Sequence, residues 1–322
     1  MATQLNPKVV VLGGGTGMPV LLQGLKKYQL DLTAVVTVAD DGGSTGKIRD
    51  AINVPAPGDI RNVIAALANV DEDLHQLFQY RIEGESGLAG HALGNLLLVA
   101  TNEITGDFNV AVDKIARLFN VEASILPIVN ESVTLHAEME DGTVVSGESN
   151  IPIKNKKIAR VYLTPENVQA NEKVVEAISE ADLVVVSPGS LYTSILPNLI
   201  IKDVIDALVK TEAKTVYVCN VMTQRGETND YTAADHLQAI YNHTKNDIID
   251  TIIVQNKPID PSILQVYEEE EARQVEIDRE KLAQYNVKVI EEDIVDHSRT
   301  LIRHNYKKIS QLLFELAKEE QN

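Results

Sequence analysis

Several short segments of this sequence combine glycines with small polar residues in patterns that are typical of anion-binding turns. The first is Gly13-Gly14-Gly15-Thr16-Gly17, which separates an apolar run, Val9 to Leu12, from a helical pattern that begins near Pro19. Glycines let backbone N–H groups approach a phosphate closely, and a helix N-terminus adds positive potential. The segment has neither the G-x-G-x-x-G pattern of dinucleotide-binding turns nor a Walker A sequence. We predict that it contacts a nucleotide or a phosphate; the alternative is a tight turn that serves only packing.

The second segment, Asp40-Asp41-Gly42-Gly43-Ser44-Thr45-Gly46, follows another apolar run, Leu32 to Val38. An acidic residue at this strand end binds a ribose hydroxyl in dinucleotide folds, and carboxylates can also bind a divalent cation. Asp40, Asp41, Gly43 and Ser44 are therefore candidate ligand-binding residues. Asp41 is also the candidate ligand of a metal ion such as Mg²⁺, with the choice between ribose and metal left open. The alternative is a capped turn that faces solvent.

Two further segments place polar side chains at predicted helix starts. Asp59, Arg61 and Asn62 begin one helix, and the planar guanidinium of arginine suits a phosphate or a carboxylate. His91 and Asn95 begin another helix beside two glycines. We predict that these residues bind the ligand. The competing interpretation is a plain N-cap with an exposed arginine, and a histidine with a structural role.

The last two segments are Ser187 to Ser194 and Asn220 to Thr228. They follow the apolar runs Leu183 to Val186 and Thr215 to Val218. Their hydroxyl and amide groups could bind a phosphate or a sugar. Neither contains the G-x-S-x-G nucleophile elbow, which argues against a hydrolase triad, and no catalytic residue is assigned. The candidate ligand-binding residues here are Ser187, Gly189, Ser190, Tyr192, Thr193, Asn220, Thr223 and Gln224.

These turns alternate with strand-like and helical patterns, which predicts an α/β fold: a Rossmann-like, doubly wound, mostly parallel sheet. In such a sheet the turns share one edge, and ligands bind where the strand order reverses. Alternating residues around Asp141-Gly142 predict a hairpin within a small antiparallel β insertion, residues 131–163. We expect one nucleotide-binding domain over residues 1–322, closed by a C-terminal helix at 298–322.

Composition narrows the class of protein. The chain has 29 basic and 47 acidic residues, a net charge of −18, which opposes binding of a nucleic acid. Apolar residues make up 44% and tryptophan is absent, so an aliphatic core is expected. One cysteine, no secretion signal and no long apolar run favour a cytoplasmic protein without a transmembrane segment.

Taken together and in order, the motifs resemble those of the bacterial gluconeogenesis factor family, the YvcK-like branch of the CofD superfamily of 2-phospho-L-lactate transferases. The resemblance covers nearly the whole chain and weakens after about Arg303. The segments that carry it are Val10 to Gly17, Val38 to Gly46, Pro57 to Asn62, His91 to Asn95, Ser187 to Leu199 and Cys219 to Thr228.

This resemblance implies a cytoplasmic factor needed for cell shape on gluconeogenic carbon sources, which binds UDP-sugars such as UDP-N-acetylglucosamine. It also implies that Gly13 to Gly17 meet the phosphates, while Ser187 to Thr193 and Asn220 face the phosphate or sugar. The alternative is a CofD-like transferase that moves a 2-phospho-lactate-type group from a nucleotide diphosphate donor with a divalent metal. The fold also allows an NAD-type dinucleotide in the cleft. We expect no required cofactor. The sequence leaves open whether the chain forms a homo-oligomer.

Overall fold

Ten strands form two sheets in the computed structural model, which describes residues 6–269, 271–298 and 301–320. The strands are β1 Lys8–Gly13, β2 Asp31–Val36, β3 Ser124–Pro127, β4 Thr134–Met139, β5 Val144–Ser146, β6 Ile158–Thr164, β7 Leu183–Val186, β8 Lys214–Val218, β9 Thr251–Gln255 and β10 Lys288–Glu292. The larger sheet has the order β10-β9-β8-β7-β1-β2-β3, and every neighbouring pair in it is parallel. This confirms the predicted Rossmann-like α/β fold.

Helices connect these strands, and several of the glycine-rich turns lead directly into the N-terminus of a helix. They are α1 Gly17–Leu25, α2 Gly43–Ala51, α3 Gly58–Leu67, α4 Glu72–Gln79, α5 Leu93–Thr105, α6 Phe108–Leu118, α7 Glu172–Ser179, α8 Leu196–Leu199, α9 Lys202–Lys210, α10 Ala233–Thr244, α11 Pro261–Glu268, α12 Arg279–Leu282 and α13 Tyr306–Glu319. A π-helix spans Leu191–Ile195, and two 3-10 turns span Glu148–Asn150 and Pro152–Lys154. Among the described residues, no helix is both long and apolar enough to cross a membrane.

The small sheet has the order β5-β4-β6 and is antiparallel, as the sequence predicted. Its inward side chains, among them Leu135, Ala137 and Leu163, belong to the same apolar cluster as the central strands. Arg49 on α2 donates hydrogen bonds to the main-chain oxygens of Asp40 and Val133, which ties the insertion to the end of β2. The insertion therefore lies beside the turn that follows β2.

Some element boundaries differ from those predicted. Residues 43–51 form α2 rather than only a turn, because packing of Ile48 against Val54 and Val99 overcomes the low helix propensity of glycine and threonine. The edge strands β3 and β10 were not predicted, because they are short and their burial is partial.

The C-terminal helix begins at Tyr306, later than the predicted start at residue 298. Val295 and His304 form an isolated bridge, which keeps the chain before the helix extended, and the Asn305 side chain caps α13 by accepting from the Lys308 N–H at 3.1 Å. The predicted ranges 1–322 and 298–322 include residues 1–5, 270, 299–300 and 321–322, which lie outside the described part.

Candidate functional site

The turns after β1 and β7 meet at the point where the strand order reverses. From β1 the chain continues to β2 on one side, and from β7 it continues to β8 on the other. A Cβ atom added to Gly13 would lie 2.0 Å from Ser187 Oγ, and one added to Gly17 would lie 2.4 Å from the Pro188 carbonyl oxygen. Only glycine permits this close approach, so the two turns form one wall of a shared crevice.

The N-terminus of α1 opens into this crevice with its backbone N–H groups uncapped. Thr16 is the N-cap residue, its side chain makes no capping hydrogen bond, and the first turn carries no acidic residue. An uncapped helix N-terminus presents N–H donors and a positive dipole end to an anion. This end of the crevice is therefore suited to a phosphate.

The crevice widens into a cleft of about 1110 Å³. Three of its walls are the predicted turns: Gly15 to Gly17, Pro188 to Ser190 and Asn220 to Arg225. The fourth wall is the segment 302–307, which we call the C-terminal strap. The predicted residues that line the cleft are Gly15, Thr16, Gly17, Gly189, Ser190, Asn220, Thr223 and Gln224.

Side chains from the turn after β8 hold the turn after β7 in place. Asn220 accepts from the Gly189 N–H at 3.2 Å and donates to the Gly189 carbonyl at 2.8 Å. Gln224 Nε2 donates to Ser190 Oγ at 2.9 Å. Thr223 instead pairs with the main chain of Arg273, with distances of 2.8 and 2.9 Å. Asn220 and Gln224 thus shape the cleft wall through their contacts with the neighbouring turn.

The cationic part of the cleft was not predicted from the sequence. Arg225, Arg303 and Lys307 line it, and so do His304 and Tyr306. His304 Nε2 lies 3.2 Å from the Cys219 carbonyl, and burial lowers the pKa of this imidazole to about 4, so it is neutral at pH 7. Arg225 lies in a loop that was predicted to bind the ligand. No pattern in the sequence predicted that the strap would lie at this edge of the sheet.

Tyr192 and Thr193 do not reach the cleft. Both side chains are buried, and the Glu227 carboxylate accepts from the Tyr192 N–H at 3.0 Å and from Thr193 Oγ at 2.9 Å. Glu227 is only 6% exposed, and burial raises its pKa. This carboxylate already occupies the start of the π-helix, so α1 is left as the helix that offers free N–H groups to an anion in the cleft.

A second set of predicted residues lies on the other side of the Gly14–Gly15 turn. Gly15 donates its N–H to the buried Asp59 carboxylate at 2.7 Å. Asn95 Nδ2 donates to Ser44 Oγ at 3.2 Å, and Ser44 Oγ lies 3.1 Å from His91 Nδ1. We call Asp40, Ser44, Arg61, His91 and Asn95 the β2-side group.

Three other predicted residues, Asn62, Ser187 and Gly43, do not line the cleft. Asn62 Oδ1 accepts from Arg61 Nη2 at 2.5 Å, and the buried Ser187 hydroxyl has no partner among the described residues. Nothing lies within 4 Å of the position that a Gly43 Cβ would take. The structure thus shows none of these three residues in the wall of the cleft.

Asp41, the predicted metal ligand, contacts the antiparallel insertion. Its carboxylate accepts the Ser149 N–H at 2.9 Å, and the Asp40 carboxylate accepts the Gly42 N–H at 2.8 Å. Burial and the nearby carboxylates of Asp40, Asp59 and Asp41 raise the pKa of Glu148 to about 9. Within the described ranges, no three histidine, cysteine or acidic side chains are arranged to hold a metal. The role of Asp41 as a metal ligand therefore stays a prediction.

Residues 9–295 match the family model described as 2-phospho-L-lactate transferase CofD. The chain belongs to the CofD family. This CofD-family chain is also 50% identical to the gluconeogenesis factor of Bacillus subtilis, over 98% of this chain and 99% of that one. It is 42% identical to the gluconeogenesis factor of Listeria monocytogenes, over 100% of this chain and 99% of the relative. These relatives confirm the family resemblance seen in the motifs.

A solved structure of the family shares this architecture. The crystal structure of protein BH3568 from Bacillus halodurans matches the CofD-family chain with a TM-score of 0.93 and 48% identity. The match covers 96% of this chain and 99% of that one. The fold that positions the cleft is thus the fold of an experimentally solved relative.

Proposed function

We propose that this chain is a gluconeogenesis factor that binds a nucleotide sugar of the UDP-N-acetylglucosamine type in the cleft. We further propose that it acts in the cytoplasm as a regulatory protein needed for cell shape on gluconeogenic carbon sources. The observation that carries the proposal is the cleft at the strand-order reversal, where the uncapped N-terminus of α1 faces cationic side chains. The gluconeogenesis factors to which the chain is similar support the same assignment.

The charge distribution favours a diphosphate over a neutral ligand. The whole molecule carries −18, yet Arg225, Arg303 and Lys307 all line the cleft, although Arg225 is paired with Glu271 at 2.8 Å. Acidic side chains in the same lining are Glu269 and Asp296. A guanidinium can bind two phosphate oxygens at once, and α1 adds N–H donors. The whole cleft, with a volume of about 1110 Å³, leaves space for a base and a sugar beside the phosphates.

Calorimetry with UDP-N-acetylglucosamine tests this proposal. The wild-type protein should bind, and Arg303→Met should weaken binding about tenfold, because one charge-assisted hydrogen bond is lost. Arg279→Met is the matched control: it removes the same charge from an exposed pair with Glu291, and Arg279 does not line the cleft. Absence of heat and of a thermal shift at millimolar ligand in the wild type would refute the proposal. Titration with NAD shows whether a dinucleotide enters the same cleft.

A transferase is the second candidate function. It is supported by the match of residues 9–295 to a family model that is described as a transferase. Incubation with a nucleotide diphosphate donor of 2-phospho-lactate, an acceptor and Mg²⁺ should then yield a transfer product detectable by mass spectrometry. Unchanged turnover in Asp41→Asn would show that this carboxylate is not needed.

A further inference from the structure

One edge of the small antiparallel sheet is closed by a histidine rather than by another strand. In the order β5-β4-β6, strand β6 pairs with β4 on one side and with no described strand on the other. On that free side the Val161 N–H donates to Nε2 of His243 on α10, with an N–N distance of 3.0 Å. Val161 is only 4% exposed, so water is a poor substitute for this acceptor. The histidine therefore satisfies a main-chain group that would otherwise be buried without a partner.

The two hydrogen bonds of His243 fix its protonation state. Its Nδ1 lies 2.7 Å from the Ala239 carbonyl oxygen, which can only accept, so Nδ1 carries a proton. The Val161 N–H can only donate, so Nε2 carries none. The ring is therefore neutral while it holds β6. A second proton would place two N–H donors against each other.

Three other histidines make no such demand on their protonation state. His75 Nε2, His236 Nδ1 and His304 Nε2 each face a main-chain carbonyl oxygen, to which a protonated ring can still donate. His243 differs because it accepts a hydrogen bond from the main chain. Protonation therefore breaks its contact with β6, whereas it leaves the contacts of the other three in place.

The surroundings of His243 also oppose its protonation. Burial lowers the pKa of this imidazole below its ordinary value of 6.5, and the Lys245 ammonium at the end of the same helix lowers it further. The Tyr192 ring lies edge-on to it, with 5.8 Å between the ring centres. Helix α8, which packs on both β6 and α10, carries no charged residue. On β6 the charge of Arg160 is paired with Glu138. These groups keep the ring neutral while the contact is made.

We propose that this contact is a pH-sensitive latch between α10 and the antiparallel insertion, which opens when His243 takes up a proton. The closed latch needs the neutral ring, whereas the ring in the open latch accepts a proton like an exposed histidine. The latch is therefore closed at neutral pH and weakens as the pH falls below 6.5. From about pH 7.5 to about pH 5.5, the equilibrium constant for opening should rise about tenfold.

Opening of the latch affects the wall of the nucleotide cleft as well as the insertion. The Tyr192 ring contacts His243, and its hydroxyl oxygen lies 2.6 Å from that of Tyr231. Tyr192 belongs to the π-helix that directly follows Gly189 and Ser190, two residues that line the cleft. A movement of β6 away from α10 is thus transmitted to this turn through the Tyr192 ring.

Hydrogen–deuterium exchange of the full chain, read by mass spectrometry, measures the opening. After correction for the intrinsic effect of pH on exchange, peptides that cover β6 should lose protection about tenfold between about pH 7.5 and about pH 5.5. Peptides that cover the central strand β7 should keep their protection. Unchanged protection of β6 would overturn the latch, and so would an equal loss in both strands, which indicates general acid unfolding.

Two variants show whether His243 is the group that titrates. His243→Gln keeps an acceptor near Val161 and has no charge at either pH, so its β6 protection should not change with pH. His75→Gln is the matched control: it removes an imidazole that faces the Ala65 carbonyl on α4, and it should keep the pH dependence of the wild type. A loss of β6 protection in acidified His243→Gln equal to that of the wild type would contradict the latch.

A measurement on the wild type decides the question if His243→Gln does not fold. Heteronuclear NMR of the histidine rings reports their tautomers, and the His243 ring can be assigned through its contact with the Tyr192 ring. We expect a proton on Nδ1 and none on Nε2 at neutral pH, with a titration below pH 6.5. A proton on Nε2, or a titration above pH 6.5, would exclude the latch. Neither experiment uses a ligand, so both outcomes are independent of the proposed nucleotide site.

Discussion

At the scale of single residues, Asp59 shows how a buried carboxylate can position a ligand-binding turn. It accepts the Gly15 N–H at 2.7 Å, and its burial raises its pKa from 3.8 to about 6. The sequence predicted an N-cap or a ligand contact for Asp59. In the structure it supports the glycine turn, at a cost in stability when it is ionised, and its contact with a ligand stays a prediction.

The pH dependence of unfolding should reveal this cost. A raised native pKa means that stability is fully present below pH 3.8 and falls as the pH rises through about 6. Asp59→Asn keeps an acceptor for Gly15, so at pH 7 it should be more stable than the wild type, by at most about 3 kcal/mol. Denaturant unfolding of both proteins between pH 4 and pH 7.5 measures the difference.

The comparison of the two proteins isolates Asp59 and the groups whose pKa values depend on its charge, Glu148 and Arg61. Asp113→Asn, on the exposed face of α6, is the control and should not change with pH in this way. A constant stability difference between wild type and Asp59→Asn over this pH range would contradict the pKa shift.

At the scale of elements, the packing of α13 on α1 brings the strap to the cleft. A Cβ atom on Gly24 of α1 would lie 2.1 Å from Ser310 Oγ and 3.1 Å from Ser310 Cβ of α13. Tyr306, the first residue of α13, lies near Gly17: its hydroxyl is 3.4 Å from the position of a Gly17 Cβ. The glycine thus lets the last helix lie close enough to place Arg303 and Lys307 in the cleft.

Gly24→Ala tests this coupling. Overpacking typically costs about 1–3 kcal/mol, which exceeds the gain of up to about 1 kcal/mol in helix propensity. We expect a lower melting temperature and weaker nucleotide binding, both measured on the same preparation. Ser310→Ala alone should be harmless, since the buried Ser310 hydroxyl has no described partner, and it should partly rescue Gly24→Ala. A fully stable Gly24→Ala would show that the helices can separate without cost.

At the scale of the whole molecule, the excess of acidic residues sets the long-range field. With 47 acidic and 29 basic residues, the folded chain repels itself, and this repulsion extends over a Debye length of about 30 Å at 0.01 M salt. The proposed nucleotide cleft is a local exception, because its cations and the N-terminus of α1 act at short range. The net charge of −18 therefore does not contradict the proposed binding of a nucleotide sugar.

Screening should stabilise the protein. Raising sodium chloride from about 0.01 to 0.1 M shortens the Debye length to about 10 Å, and we expect the melting temperature at pH 7.5 to rise by a few degrees. Scanning calorimetry at both salt concentrations measures this rise. Near the isoelectric point the same change in salt should have little effect. A falling melting temperature at pH 7.5 would mean that the screened ion pairs outweigh the repulsion.

The sequence by itself determined the parallel sheet, the antiparallel insertion and most of the cleft turns. Strands such as Leu183–Val186 are continuous aliphatic runs, because both faces of a parallel sheet are buried. The glycine-rich turns after them can be recognised because only glycine fits the local sterics at Gly13 and Gly17. The family resemblance rested on the same turns. Local chemistry and periodicity are properties that a sequence displays directly.

Only the tertiary structure decided which polar groups remain free for a ligand. Glu227 uses up the donors of Tyr192 and Thr193, and Asp59 uses up the Gly15 N–H, although nothing in the spacing predicts either contact. Arg303 enters the cleft because α13 packs on α1 far away in sequence. Hydrogen-bond partners and charge neighbours depend on distances between elements, and these are fixed by packing rather than by local pattern.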